Sequence, residues 1–204
     1  MSASYAAVYS VTLPRAHQVV DPFHVVALAN RTLDQVRRRV QIETLGHRGR
    51  KDDPLYRARR LLTFGEEKLS EERASRLQSL LALGDPNAEV AISYRVKERI
   101  REFYRTTNPD AARELLDDLV FHCVSKTMPP EIRRLGNTLK KWFTKICNYH
   151  LAKITNGPTE SMNNLIKRIK RIGFGFRNFH NYRIRALLYT GRPHWRVLDS
   201  IVVR

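Results

Sequence analysis

Between Leu55 and His150 apolar residues recur again and again at intervals of three and four, the spacing of one face of an α-helix. One stripe carries Leu69, Leu77, Leu80 and Leu81, and another carries Ile92, Val96, Ile100 and Phe103. A third opens at "NPDAA", where Asn108 suits the cap and Pro109 the first helical position. It continues through Leu115, Leu116, Leu119, Val120, Cys123 and Val124. A fourth follows Pro129-Pro130 and carries Leu135, Leu139, Trp142, Phe143 and Ile146. So long a run of helical patterns leaves little chain for a sheet. Strand signals are confined to "HQVVD", where Val19 and Val20 are β-branched and Asp21 ends the segment, and to "WRVLDSIVV" near residue 200. A lone strand cannot satisfy its backbone polar groups, so these segments require partners that the chain scarcely offers. The expected fold is mainly α with a small residual sheet, α/β in class.

Ahead of the helical stretch, "SASYAAVYSVTLP" reads as helical up to Pro14. Pro22 turns the chain out of the short strand, and a helix is expected from Phe23 to Glu43. Its apolar face holds Ala29, Leu33, Val36 and Val40, with Arg31 and Arg37 to Arg39 mostly off it. "GHRGRKDDP" is a charged loop. The chain carries 37 Lys and Arg against 20 Asp and Glu, a net charge of +17. A surplus of that size favours a polyanionic partner, nucleic acid first. Hydrophobic residues make up 42%, enough for a folded core and too many for a disordered basic tail. No apolar run approaches the roughly 20 residues of a membrane span, and the N-terminus lacks a signal-peptide pattern. Cys123 and Cys147 read as free thiols of a reducing compartment, the cytoplasm, which in a bacterial cell would put the chain beside the nucleoid. With His122 and His150 they could form a zinc set, but the spacing is wrong and both cysteines lie on apolar stripes. There is no glycine-rich phosphate loop, so ATP use is not indicated.

The C-terminal region reads "NGPTESMNNLIKRIKRIGFGFRNFHNYRIRALLYTG". Gly157 and Pro158 suit a helix start, and the helix should run to about Ile172. Met162, Leu165, Ile166, Ile169 and Ile172 share one face. Glu160 falls on the other, in line with Asn164, Lys167 and Arg171, with Arg168 beside them. A first-turn acid suits the helix dipole, and the cations can be a solvated face. The alternative is functional: the cations hold a phosphate backbone and the carboxylate holds a divalent ion. Beyond the helix, Phe174, Phe176, Phe179 and Tyr182 alternate with Arg177, Arg183 and Arg185. Most of these aromatics suit a core beneath the helix; Arg177 and Asn178 are the better candidates for DNA contact.

"TNGPTESMNNLIKRIKRIGFGFRNFHNYRIRALL" closely resembles the final catalytic block of the bacterial insertion-sequence transposases of the ISL-three group. "VVDPFHVVALANRTLDQVRRR" resembles the block around that family's second catalytic aspartate. The likeness runs from about residue 1 to residue 195, with the blocks in the family's order and a helical segment between them. It implies a ribonuclease-H-like DDE domain, with residues 44–150 as a helical insertion and residues 196–204 as a tail. It also implies cutting and joining of DNA by metal-dependent attack on a phosphodiester. Two Asp and one Glu would hold Mg²⁺ or Mn²⁺. Matched block to block, Asp21 is the second aspartate and Glu160 the glutamate, both as catalytic and metal-binding residues. Asn164, Lys167, Arg168, Arg171, Arg177 and Asn178 are the candidates for DNA binding.

The chain departs from the pattern at its start. The first aspartate belongs upstream, and residues 1–20 contain no Asp or Glu. The family's N-terminal zinc-binding and helix-turn-helix regions have no counterpart. The expectation is therefore a C-terminal part of a transposase, inactive alone. Its expected partners are transposon-end DNA and full-length transposase or a second copy of itself, with no membrane. The rival expectation is a non-catalytic basic protein that binds DNA or RNA. Asp-Pro is also a common helix start, which gives Asp21 a purely structural alternative as a cap.

Overall fold

The computed structural model describes residues 3–191, and these divide into two compact units, the first ending at Ile154 and the second beginning at Thr155. The first holds α1 (Ala3–Thr12), α2 (Pro22–Leu45), α3 (Pro54–Ala58), α4 (Glu71–Gly84), α5 (Glu89–Arg105), α6 (Pro109–Cys123), α7 (Pro130–Cys147) and α8 (Tyr149–Ala152). The second holds α9 (Gly157–Ile172) and α10 (Phe179–Thr190).

Local chemistry sets most of these boundaries. The Asn108 side chain accepts hydrogen bonds from the Asp110 and Ala111 N–H groups at 2.8 and 3.3 Å, which caps α6 ahead of Pro109. Ser70 caps α4 by accepting from the Arg73 N–H. Gly46, at φ 71°, ends α2 in the left-handed conformation that glycine adopts without penalty. The loop expected at "GHRGRKDDP" follows directly.

The first unit has two cores that share α2. Val25 and Ala29, from the first half of α2, pack with Val96, Ile100 and Phe103 of α5 and with the apolar stripes of α6 and α7. Leu33, Val36 and Val40, from its second half, pack with Leu55 and Ala58 of α3, Leu77 and Leu80 of α4, and Val90 at the start of α5. α5 therefore runs antiparallel to α2 along its length. Gly136 lets α7 approach α6 closely: a Cβ there would meet Cys123 Cβ at 2.7 Å. Cys123 is buried between the two helices, and burial pushes its thiol up to about 12.

The chain is mainly helical, and the residual sheet is the part of the expected fold that the structure corrects. No strand occurs among the described residues. Val20 is buried as expected, but its extended segment pairs with a helix end instead of a strand. The Val20 N–H donates to the Lys145 carbonyl at 2.9 Å, and Asn148 Nδ2 donates to the Gln18 carbonyl at 3.0 Å. The last turn of α7 thus supplies the partners that a neighbouring strand would have supplied. The second expected strand, at "WRVLDSIVV", and the tail from residue 196 lie outside the described residues.

Several polar groups lie deeper than their sequence positions suggest. Lys97 is 1% exposed and donates from Nζ to the Leu62 and Phe64 carbonyls at 2.8 and 2.6 Å. Its Nζ also lies 2.8 Å from Glu98 and 4.1 Å from the Tyr94 ring centre. Arg37, expected off the apolar face of α2, is buried against Asp34 and Gln41. Arg39 joins three helices, reaching Glu43 on α2, Glu89 on α5 and Glu131 on α7.

Candidate nucleic-acid interface and carboxylates

Asp21 stands where the extended segment meets α2. Its backbone is extended (φ −61°, ψ 129°), and Oδ1 accepts from the Phe23 N–H at 2.7 Å with Pro22 at the first helical position. The capping alternative raised by the Asp-Pro pair is thus realised. Val20, anchored on α7, and the start of α2 fix the carboxylate from both sides, and Asp21 remains half-exposed. Tyr104, from the end of α5, belongs to the same neighbourhood. Burial pushes its phenol well above the usual tyrosine range, and the charge of Asp21 pushes it further. Its ring stands edge-on to Phe103 and Tyr149 at 4.7 and 5.2 Å. Sequence reasoning missed Tyr104, since it adjoins Phe103 and reads as one more aromatic near the core. His24 is exposed on the first turn of α2, its ring 5.8 Å from that of Phe23.

Glu160 stands in the first turn of α9, which starts at Gly157 itself, one residue before the expected first turn at Pro158. The Glu160 N–H donates to the Asn156 carbonyl at 2.9 Å, so the acid is tied into the opening turn. There it meets the positive end of the helix dipole. It lines a concavity of about 410 Å³ with Gly157, Ser161, Asn164, Leu165 and Arg168. Of the expected DNA-contacting residues, Asn164 and Arg168 share this concavity with the acid. Lys167 and Arg171 are exposed along α9 outside it.

The apolar face of α9 is only partly covered. Ile169 is buried, Leu165 and Ile166 are half-buried, and Met162 and Ile172 are exposed at 41% and 64%. α10 packs against it, and Phe176 packs as expected: a Cβ at Gly173 would come within 2.7 Å of its ring. The Arg185 guanidinium lies 5.6 Å from that ring and the Tyr182 ring 5.2 Å from it. Phe174 and Phe179 do not follow the expectation of packing and are exposed. Arg177 is exposed in the connecting loop. Asn178 has a local role: its side chain accepts from the His180 N–H at 2.8 Å and caps α10.

Asp21 and Glu160 belong to different units. Among the described residues no three His, Cys, Asp or Glu side chains stand together as a metal site. Carboxylate oxygens suit a hard divalent cation in kind, and two of them make only part of a shell. No helix among the described residues is long and apolar enough to cross a membrane.

A family described as transposase, of the ISL3 DDE type, matches residues 1–186. The transposase for insertion sequence element IS1557 of Mycobacterium tuberculosis is 30% identical over 185 residues, in each of two strains. That alignment covers 81% of this chain and 40% of the mycobacterial protein. A Lactococcus lactis protein described as an ATP-dependent protease is 34% identical over 64 residues, 31% of this chain and 21% of that protein. The chain thus spans well under half the length of these relatives. No solved structure matches it. The family match takes in both the block around Asp21 and the block around Glu160, and on that match the chain belongs to the ISL3-type transposases.

Proposed function

We propose that this chain carries part of the catalytic machinery of a bacterial DDE transposase, working on DNA in the cytoplasm. Family membership over residues 1–186 is the observation that carries the reading, because it unites two acids that periodicity alone leaves unconnected. On this reading the helices from about residue 44 to residue 150 form an insertion within a ribonuclease-H-like domain. Asp21 and Glu160 would hold the divalent ion. When bound, Mg²⁺ or Mn²⁺ supplies charge stabilisation at the phosphate and lowers the pKa of the attacking water or 3′-hydroxyl.

The chain's own residues do the rest. Asn164 and Arg168 flank Glu160 in its concavity, where they would orient a phosphate beside the carboxylate. Lys167 and Arg171 would continue the phosphate track along α9, and Arg177 would extend it into the loop. The Asn178 side-chain oxygen is committed to its cap, so its contribution would come through fixing the start of α10 beside Arg177. The implied partners are transposon-end DNA and another transposase chain.

Fe²⁺ in place of Mg²⁺, with ascorbate and peroxide, cuts a polypeptide beside the residues that hold the ion. The full chain is expected to be cut next to both Asp21 and Glu160, and either Asp21→Asn or Glu160→Gln should suppress both cuts. Independent cuts, each lost only with its own residue, would show that the two acids hold no common ion and would sink the assignment.

A further inference from the structure

The tip between α9 and α10 is built against the ordinary preference of one of its residues. The Gly175 N–H donates to the Lys170 carbonyl at 3.1 Å, and the Phe174 N–H donates to the Arg171 carbonyl at 3.2 Å. This is the closure that ends many helices, and it requires a left-handed residue at the position Phe174 occupies, where glycine is usual. Phe174 adopts φ 49° there, although glycines stand on both sides of it. A bulky L residue is rare in that region. Burial gives nothing back: Phe174 is 101% exposed, whereas Phe176, two residues on, packs on Gly173. The tip therefore holds one aromatic that packs and one that is presented.

We propose that Phe174 is a stacking residue for an unpaired DNA base, in a single strand or extruded from a duplex. The proposal rests on the DNA-binding reading above and adds to it a contact with the base instead of the phosphate. Between Ser161 and Gly191 there is no Asp or Glu, and there are seven Lys and Arg. Lys170 and Arg171 stand four and three residues before Phe174, and Arg177 three residues after it. A bare aromatic ring among cations, with no carboxylate near it in sequence, suits a partner that is both anionic and flat-faced. Nucleic acid has both properties, and every base offers a π face. In an intact duplex those faces are covered by neighbouring bases, so a ring on a protruding tip reaches only a base already out of the stack. An anionic lipid surface shares the charge and the apolarity but offers no flat face to stack on.

The test measures the full chain against a single-stranded oligonucleotide, a duplex with one bulged base, an intact duplex and vesicles of phosphatidylserine with phosphatidylcholine. Phe174→Ala should weaken binding of the first two by about tenfold, the usual loss for one stacked base, and leave the intact duplex unchanged. Phe174→Trp should keep the affinity, and its added fluorescence should be quenched by the bulged base. Phe174→Gly should bind like the Ala variant yet melt no lower than the parent, since the ring is exposed and its backbone position favours glycine. Equal weakening on all three DNAs, or none on any, would overturn the proposal while leaving DNA binding intact. A loss confined to vesicles would overturn it in favour of a lipid contact. If the unsubstituted chain bound no DNA at all, the DNA-binding reading would fall and this proposal with it.

Discussion

Arg39 shows how a single residue can organise this interior. Its guanidinium meets Glu131 at 2.9 Å, Glu89 at 2.5 Å and Glu43 at 2.9 Å, and these contacts raise its already high pKa further. Burial alone would raise the Glu131 carboxyl, but the hydrogen bond from Arg39 and a backbone N–H outweigh it and hold the carboxyl below its usual range. His150 behaves in the opposite sense. It is 5% exposed with its ring edge-on to Phe103, and burial lowers its pKa, helped by the charge of Lys153. Both shifts make the unfolded chain the better proton acceptor in acid, so stability falls as pH falls. The loss from His150 begins below its ordinary value of about 6.5, and that from Glu131 is added below about 4.5. Urea unfolding at pH 7, 5.5 and 4 should therefore show a decline in two stages. His150→Gln should remove the first stage and leave the second. Neither the half-burial of Arg39 nor the full burial of Lys97 could be read from the sequence. Charged side chains at those positions look like solvated faces, and only the carbonyls and carboxylates brought by distant segments make their burial tolerable.

At the scale of single helices, α7 contains a conflict that magnitudes can decide. Gly136 lies inside an 18-residue helix, where glycine costs about 1 kcal/mol relative to alanine. A Cβ there would meet Cys123 Cβ at 2.7 Å and its backbone carbon at 3.1 Å, atoms that no side-chain rotation can move aside. Overpacking of that kind costs roughly 1–3 kcal/mol. Gly136→Ala is therefore expected to destabilise the chain in urea unfolding, against its helix propensity, and a stabilised variant would show that α6 and α7 can separate freely. The helices themselves were legible because local chemistry specifies them: Asn108 with Pro109, Pro129-Pro130 and the apolar stripes each act within a few residues. The extended segment at Val19 and Val20 was misread because β-branching describes a residue and strand pairing describes its neighbours. What lay beside it was the end of α7, more than a hundred residues away. The candidate site was legible in part for the same reason. A helical wheel aligns Glu160 with Asn164, but its link to Asp21 came through family resemblance, and the near approach of Tyr104 to Asp21 depends on how α5 packs.

For the whole chain, a net charge of +17 makes affinity for any polyanion a matter of ionic strength. Each phosphate neutralised on binding releases counterions, so the logarithm of affinity should fall linearly with that of salt concentration. Replacing Lys167 and Arg171 with Ala should weaken binding to every duplex sequence alike and flatten the slope by about 2, the share of two phosphate contacts. An unchanged slope in a titration by fluorescence anisotropy would remove α9 from the interface. α2 serves both interior clusters and ties one to the other. α2 has 24 residues and so runs for about 36 Å. Its first half belongs to one cluster and its second half to the other, and α5 accompanies it in reverse. Neither cluster can come apart alone unless both helices break in mid-length and give up the hydrogen bonds there. The backbone amides around Leu33 should thus exchange with solvent only when the whole of residues 1–154 opens, and this unit should melt as a single cooperative block.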